Sequence, residues 1–196
     1  MAANLRTTRY RNGTVIPNVT EDDQWTTSID AWCNYENNQG YDATYGKLYN
    51  WYTASNPDIC PLGWHTPSDA EWMTMEASLG MPAGELSVNT DDRGSLQNVG
   101  GSMKATGTIE ASTGLWWSPN RGASNESGFT GLPGGYRNHY NPVFMFDNLG
   151  EAGTWWTTTT VGSEFVWVRR LSAYSTSVFR EQEGKHRGFC VRCVRD

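Results

Sequence analysis

At 196 residues with 18% charged and 13% aromatic side chains, the chain can bury a core without covalent staples, and its composition excludes both a disordered polyelectrolyte and a long helical bundle. The formal charge of −6 argues against a nucleic-acid partner, and no apolar run approaches the roughly 20 residues of a membrane helix, so direct membrane insertion is not expected. The charge is uneven: residues 164–196 carry seven Lys/Arg against four acids, about +3, while the preceding residues carry eight basic against 17 acidic groups, about −9.

One domain over residues 1–196 is expected, with 1–58 as an irregular, aromatic-rich N-terminal region packed on it. Within that region Asn12-Gly13 is a turn signal, and Val15-Ile16-Pro17-Asn18 reads as an extended edge piece. Leu48, Trp51 and Tyr52 fall at helical spacing and predict a short helix over Tyr45–Tyr52. The clearest helix follows, with Thr66 as N-cap and Pro67 at the first helical position. Asp69 and Glu71 suit the positive end of its dipole, Trp72, Met75, Ala77 and Leu79 form its apolar stripe, and Gly80 ends it. A second helix is expected over Ser95–Ala105, where Leu96, Val99 and Met103 recur at helical spacing around Gly100-Gly101.

From residue 107 onward Gly, Ser, Thr and Asn dominate, which predicts short strands and long loops. Neighbouring side chains in a strand point to opposite faces, so one member of Trp116-Trp117 and one of Trp155-Trp156 should be core, the other lying under a loop. Phe165–Tyr174 is the most informative strand. Alternation puts Trp167, Arg169 and Leu171 on one face, read as inward, and Val168, Arg170, Ser172 and Tyr174 on the other. Further strands are expected over Thr176–Glu181 and Gly188–Val194. Helices first and then a run of strands indicate an α+β fold.

No chemistry-bearing pattern stands out. The four cysteines, Cys33, Cys60, Cys190 and Cys193, permit three complete pairings, among which spacing does not choose. Cys190-Val191-Arg192-Cys193 has the spacing of half a zinc or redox site, but no second pair exists, and residues i and i+3 of a strand face opposite ways. His65, His139 and His186 lie far apart, and no Gly-x-Ser-x-Gly elbow is present. His65 is read as a structural hydrogen-bonding residue and His186 as solvated. The acid clusters Glu21-Asp22-Asp23 and Asp91-Asp92 lack EF-hand spacing and read as solvated loops. No catalytic residue, metal or cofactor is assigned.

A set of short motifs does carry information. Tyr45-Gly46-Lys47-Leu48-Tyr49-Asn50-Trp51-Tyr52 is followed by Cys60-Pro61-Leu62-Gly63-Trp64-His65-Thr66-Pro67-Ser68. Asn125-Glu126-Ser127-Gly128-Phe129, Leu132-Pro133-Gly134-Gly135-Tyr136-Arg137, Trp155-Trp156 and Val191-Arg192-Cys193-Val194-Arg195-Asp196 then follow in order. Together they resemble the Fibrobacter succinogenes major paralogous domain over nearly the whole chain. The resemblance implies an exported, cell-surface or extracellular protein of which this chain would be a part, since Met1 leads directly into Ala2-Ala3-Asn4-Leu5-Arg6. A cytosolic chain with reduced thiols is the alternative.

The resemblance also implies a C-type-lectin-like fold: two helices, a small mostly antiparallel twisted sheet, long loops that carry recognition, and a disulfide between Cys60 and Cys193. The expected function is a ligand-binding or adhesin module, without enzymatic activity, whose C-terminal surface resembles that of variable proteins diversified by retroelements. Its ligand positions would be Glu151, Thr154, Val168, Arg170, Ser172, Tyr174, Phe179, Glu181, Glu183 and His186. The partner would be a protein or glycan on another cell or host surface. Calcium-dependent sugar binding is not expected, since the Glu-Pro-Asn and Trp-Asn-Asp signatures of such lectins are absent. Two alternatives remain: a copper-dependent oxidase of formylglycine-generating type using Cys190 and Cys193, and a purely structural extracellular domain.

Overall fold

The computed structural model describes residues 3–89, 92–138 and 145–196. Its elements in chain order are α1 (Asp22–Thr27), β1 (Trp32–Cys33), α2 (Asp42–Tyr45), β2 (Leu48–Tyr49), α3 (Trp51–Ala54), β3 (Trp64–His65), α4 (Asp69–Ser78) and α5 (Val99–Met103). Six strands complete the chain: β4 (Gly134–Arg137), β5 (Phe146–Leu149), β6 (Ala152–Val161), β7 (Phe165–Ser172), β8 (Phe179–Gly184) and β9 (Val194–Arg195). The fold is α+β. Its main sheet runs β5-β4-β6-β7-β8, with β4 and β6 parallel through Gly135 and Gly153 and the other neighbours antiparallel. Two small antiparallel pairs, β1-β2 and β3-β9, flank it.

Each face of the main sheet packs against a buried cluster. Trp72, Met103, Trp116, Trp155 and Leu171 belong to one buried cluster, and Tyr49, Trp156, Val166, Val168, Phe189 and Val191 to a second. Trp155 and Trp156 point to opposite faces and are both 0% exposed: one packs with Trp72 and Leu171, and the other lies beneath Tyr49, Phe189 and Val191. In the other pair Trp116 is buried and Trp117 exposed.

Helix α4 starts two residues later than the sequence suggests. Ser68 is its N-cap, in a reciprocal capping box: the Ser68 hydroxyl accepts from Glu71 N and the Glu71 carboxylate accepts from Ser68 N at 2.7 Å. Thr66 instead donates its hydroxyl to Ala54 O. The buried face of α4 consists of Asp69, Trp72 and Glu76, while Met75 and Leu79 are half-buried and Ala77 is exposed. Acids occupy this face because three arginines reach them. Arg169 bonds both Glu76 and Asp69, Arg93 takes the second Glu76 oxygen, and Arg180 grips Asp69 with two nitrogens. Every side chain of this network is at most 7% exposed, so the carboxylates satisfy the buried guanidinium groups that burial alone would make costly.

Other elements also differ from expectation. In place of two helices, five α-helical segments occur among the described residues, most of them a single turn or little more. Tyr45–Tyr52 divides among the end of α2, strand β2 and the start of α3. The Gly100-Gly101 pair lies inside α5 and permits close packing: a Cβ at Gly100 would stand 2.0 Å from Ser177 O. The strand expected at Thr176 begins at Phe179, and the last expected strand contributes isolated bridges at Gly188, Phe189 and Cys190 before β9. Of the residues read as inward-facing on helix and strand, Trp72 and Leu171 are buried; Trp167 is half-buried beneath the Arg180 guanidinium, 3.3 Å from its ring centroid. Cys60 and Cys193 form a disulfide, with Cα atoms 6.0 Å apart across 133 residues of sequence.

A candidate recognition surface on the main sheet

Strand register determines which side chains share a face. Thr154 lies opposite Arg170, and Arg170 opposite Phe179; Trp156 lies opposite Val168, and Val168 opposite Glu181; Val166 lies opposite Glu183. These side chains project from the same face of the sheet. The N-terminal region and the Phe189–Cys193 segment cover part of that face and bury Trp156, Val166 and Val168. Arg170, Phe179, Glu181 and Glu183 remain half-exposed.

Arg170 organises the open part. Its Nε and Nη2 donate to the two Glu181 oxygens at 3.0 and 2.5 Å, and its guanidinium carbon lies 4.1 Å from the Phe179 ring centroid. Stacking and a bidentate fork hold the side chain in one orientation. Beside it Glu183 pairs with Arg187 at 2.8 Å. Burial pushes the Glu183 carboxyl up, Arg187 pulls against that, and Glu181 adds to the rise. Arg187 in turn lies over the Tyr136 ring, 5.6 Å from its centroid. At the other end the exposed Tyr174 donates its hydroxyl to Glu151 at 3.3 Å.

Three of the positions expected to meet a ligand do not reach solvent. Val168 is 0% exposed, Thr154 2% and Ser172 9%. The alternation of β7 placed Val168 and Ser172 correctly opposite Arg169 and Leu171, but that face is packed as well. His186 is half-exposed: its ring tilts against Tyr52 with centroids 5.2 Å apart, and its carbonyl accepts the Trp25 indole N–H. The structure therefore brings Arg170, Phe179, Glu181 and Glu183 together, sets Tyr174 and Glu151 beside each other, buries Thr154, Val168 and Ser172, and leaves His186 half-exposed against Tyr52. Arg187, Tyr136 and the exposed Trp117 were not among the expected positions. Only the unequal fates of adjacent tryptophans hinted at Trp117. His139 and Asp91 lie outside the described residues.

The cysteine geometry bears on the oxidase alternative, which needs two thiolates at 190 and 193. Cys193 is held in the disulfide. Cys190 is buried, its thiol is pushed up to about 12 by burial, and Asn4 Nδ2 donates to its sulfur at 3.2 Å. The pair does not present the required dithiolate. Among the described residues no three His, Cys, Asp or Glu side chains are grouped to hold a metal ion. His65 bridges the chain end to α4, with Nδ1 2.6 Å from Asp196 and Nε2 2.6 Å from Glu71.

The model of the family described as Fibrobacter succinogenes major domain matches residues 1–195, and the chain belongs to that family. No curated protein and no solved structure matches it.

Proposed function

We propose that this member of the family is a non-enzymatic ligand-binding module, of adhesin type, from an exported or surface protein, and that the β7–β8 face is its recognition surface. The observation that supports this reading is the placement of Arg170. An arginine stacked on Phe179 and forked onto Glu181 stands on a strand whose opposite face is fixed by the buried Arg169–Glu76–Asp69 network. Preorganised aromatic and arginine side chains on rigid strands are favourable binding anchors, since little conformational freedom is lost on contact. The reading takes the short helices, curled sheet and long loops as a C-type-lectin-like arrangement. It takes the ligand to be a protein or glycan on another cell or host surface.

The burial of Thr154, Val168 and Ser172 narrows the set of positions that a retroelement could diversify without damage to the core. Arg170, Tyr174, Phe179, Glu181, Glu183, Glu151 and His186 remain. A template repeat and reverse transcriptase beside the gene would establish such diversification.

The binding reading is tested by a combined Arg170→Ala, Tyr174→Ala, Phe179→Ala variant, assayed on a glycan array and against surface proteins captured by the parent. Retained folding with lost capture is expected. Unchanged capture would place recognition elsewhere, and unfolding would show that these side chains are core.

A further inference from the structure

A groove of about 340 Å³ lies beyond Glu151, walled by Tyr35, Tyr45 and Trp117 and rimmed by Glu36, Asp147 and Glu151. Its aromatic walls are set in place before any ligand arrives. Trp117 is 41% exposed, yet its backbone N–H donates to Gly150 O at 2.7 Å. Gly150 has φ +82°, and a Cβ there would stand 2.4 Å from Trp117 Nε1, so glycine lets the indole lie against the backbone. Tyr35 is held edge-on by Tyr41 and Phe146 at 5.6 and 5.4 Å, and Tyr45 tilts against Tyr41 at 6.0 Å.

Among the described residues the rim carries charge without a counter-ion. Glu36 and Asp147 are exposed and Glu151 half-exposed. Among the described residues none of the three forms an ion pair, and no Lys or Arg lines the groove. Among the described residues Asp147 accepts from the Tyr136 hydroxyl and Asn148 N, Glu151 accepts from Tyr174, and the Asn148 side-chain amide reaches both carboxylates at 3.2 Å. The Tyr35 hydroxyl senses this field: burial, then the Glu36 charge, with Asp147 adding further, push it up to about 12.

We infer that this groove binds a lysine or arginine side chain of a protein partner. Three carboxylates that no described Lys or Arg neutralises, set around an exposed indole above two buried phenol rings, attract an ammonium or guanidinium group by Coulomb and cation–π terms together. A neutral sugar would stack on Trp117 but leave the three charges uncompensated. The Arg170 stripe does not supply this preference, because Glu181 and Glu183 already neutralise its own arginines. The Tyr174–Glu151 hydrogen bond joins the groove to that stripe, so the inference rests on the reading of the β7–β8 face as the recognition surface and names the chemistry of its partner: a basic segment.

The test follows the Trp117 indole N–H resonance of the whole chain during titration with the peptide acetyl-Gly-Lys-Gly-amide. The same peptide with norleucine in place of lysine is the control, and chitotriose is the glycan probe. Saturable shifts with the lysine peptide alone are expected, weakening several-fold between about 20 and 300 mM salt. The isosteric variant Glu36→Gln, Asp147→Asn, Glu151→Gln should lose about tenfold in affinity, while its near-ultraviolet circular dichroism stays that of the parent. Equal shifts with norleucine, or shifts with chitotriose and none with lysine, would overturn the inference. If lysine leaves Trp117 unmoved while the β7–β8 triple variant still loses its partner, this inference alone falls. If lysine binds while that variant keeps its partner, the recognition reading falls instead.

Discussion

Arg169 Nε lies 2.5 Å from Glu76 Oε1, and both side chains are fully buried. Glu76 also takes Arg93 on its other oxygen at 2.6 Å, so one carboxylate offsets two interior guanidinium groups. Glu76→Gln keeps the shape and removes the charge, leaving two buried cations short of a partner. The expected cost is about 3–5 kcal/mol, read as a lowered denaturation midpoint at constant m-value. A midpoint equal to the parent's would show that the network does not hold α4 to the sheet.

The Cys60–Cys193 bond closes a loop of 133 residues. Cys193→Ser should destabilise by about 2–5 kcal/mol in the chain-entropy account. Peptide mapping without reduction should recover the two cysteine peptides joined. Cys33 and Cys190 are buried, and burial pushes their thiols up to about 11 and 12, so a maleimide should label them only after denaturation. Rapid labelling of either in native protein would contradict their burial.

Neighbours on β7 should respond differently to substitution. Leu171→Ala should cost about 2–5 kcal/mol, and Val168→Asn about 3 kcal/mol or more, because it buries an amide without a partner. Arg170→Ala, which removes a half-exposed pair with Glu181, should cost about 1 kcal/mol or less. Equal effects of Val168→Asn and Arg170→Ala would mean that the second face of the sheet is open after all.

His65 lends stability a pH dependence. Hydrogen bonds to Asp196 and then Glu71 raise its pKa above the ordinary imidazole value. Burial raises Glu71, but the Ser68 and His65 bonds outweigh it and leave its pKa lowered. A raised histidine contributes stability that is present below its unfolded value and is lost as pH rises through its folded value; a lowered carboxylate contributes stability that is lost as pH falls through its folded value. The difference in Tm between the parent and His65→Gln should therefore be present at about pH 5.5 and shrink toward about pH 8.5. A difference constant across that range would assign His65 a role in packing alone.

Local signals in the chain determine a good deal of this protein. Pro67 to Gly80 specify a helix, alternation from Phe165 specifies a strand and its two faces, and the order of motifs from Tyr45 to Asp196 specifies the family. Each of these is written in residues close to one another or in a recurring pattern. Whether a face is covered is not local. Alternation reports which way Val168 points, but its burial comes from Tyr49, Phe189 and Val191, elements far away in sequence. The same holds for the acids of α4: Asp69 and Glu76 read as surface residues until Arg93, Arg169 and Arg180 arrive from other elements to neutralise them. The groove at Trp117 likewise forms only when the Tyr35 turn, the end of α2 and β5 meet. Tertiary packing thus decided which of the expected ligand positions stay open, because burial and charge compensation depend on residues that sequence spacing does not bring together.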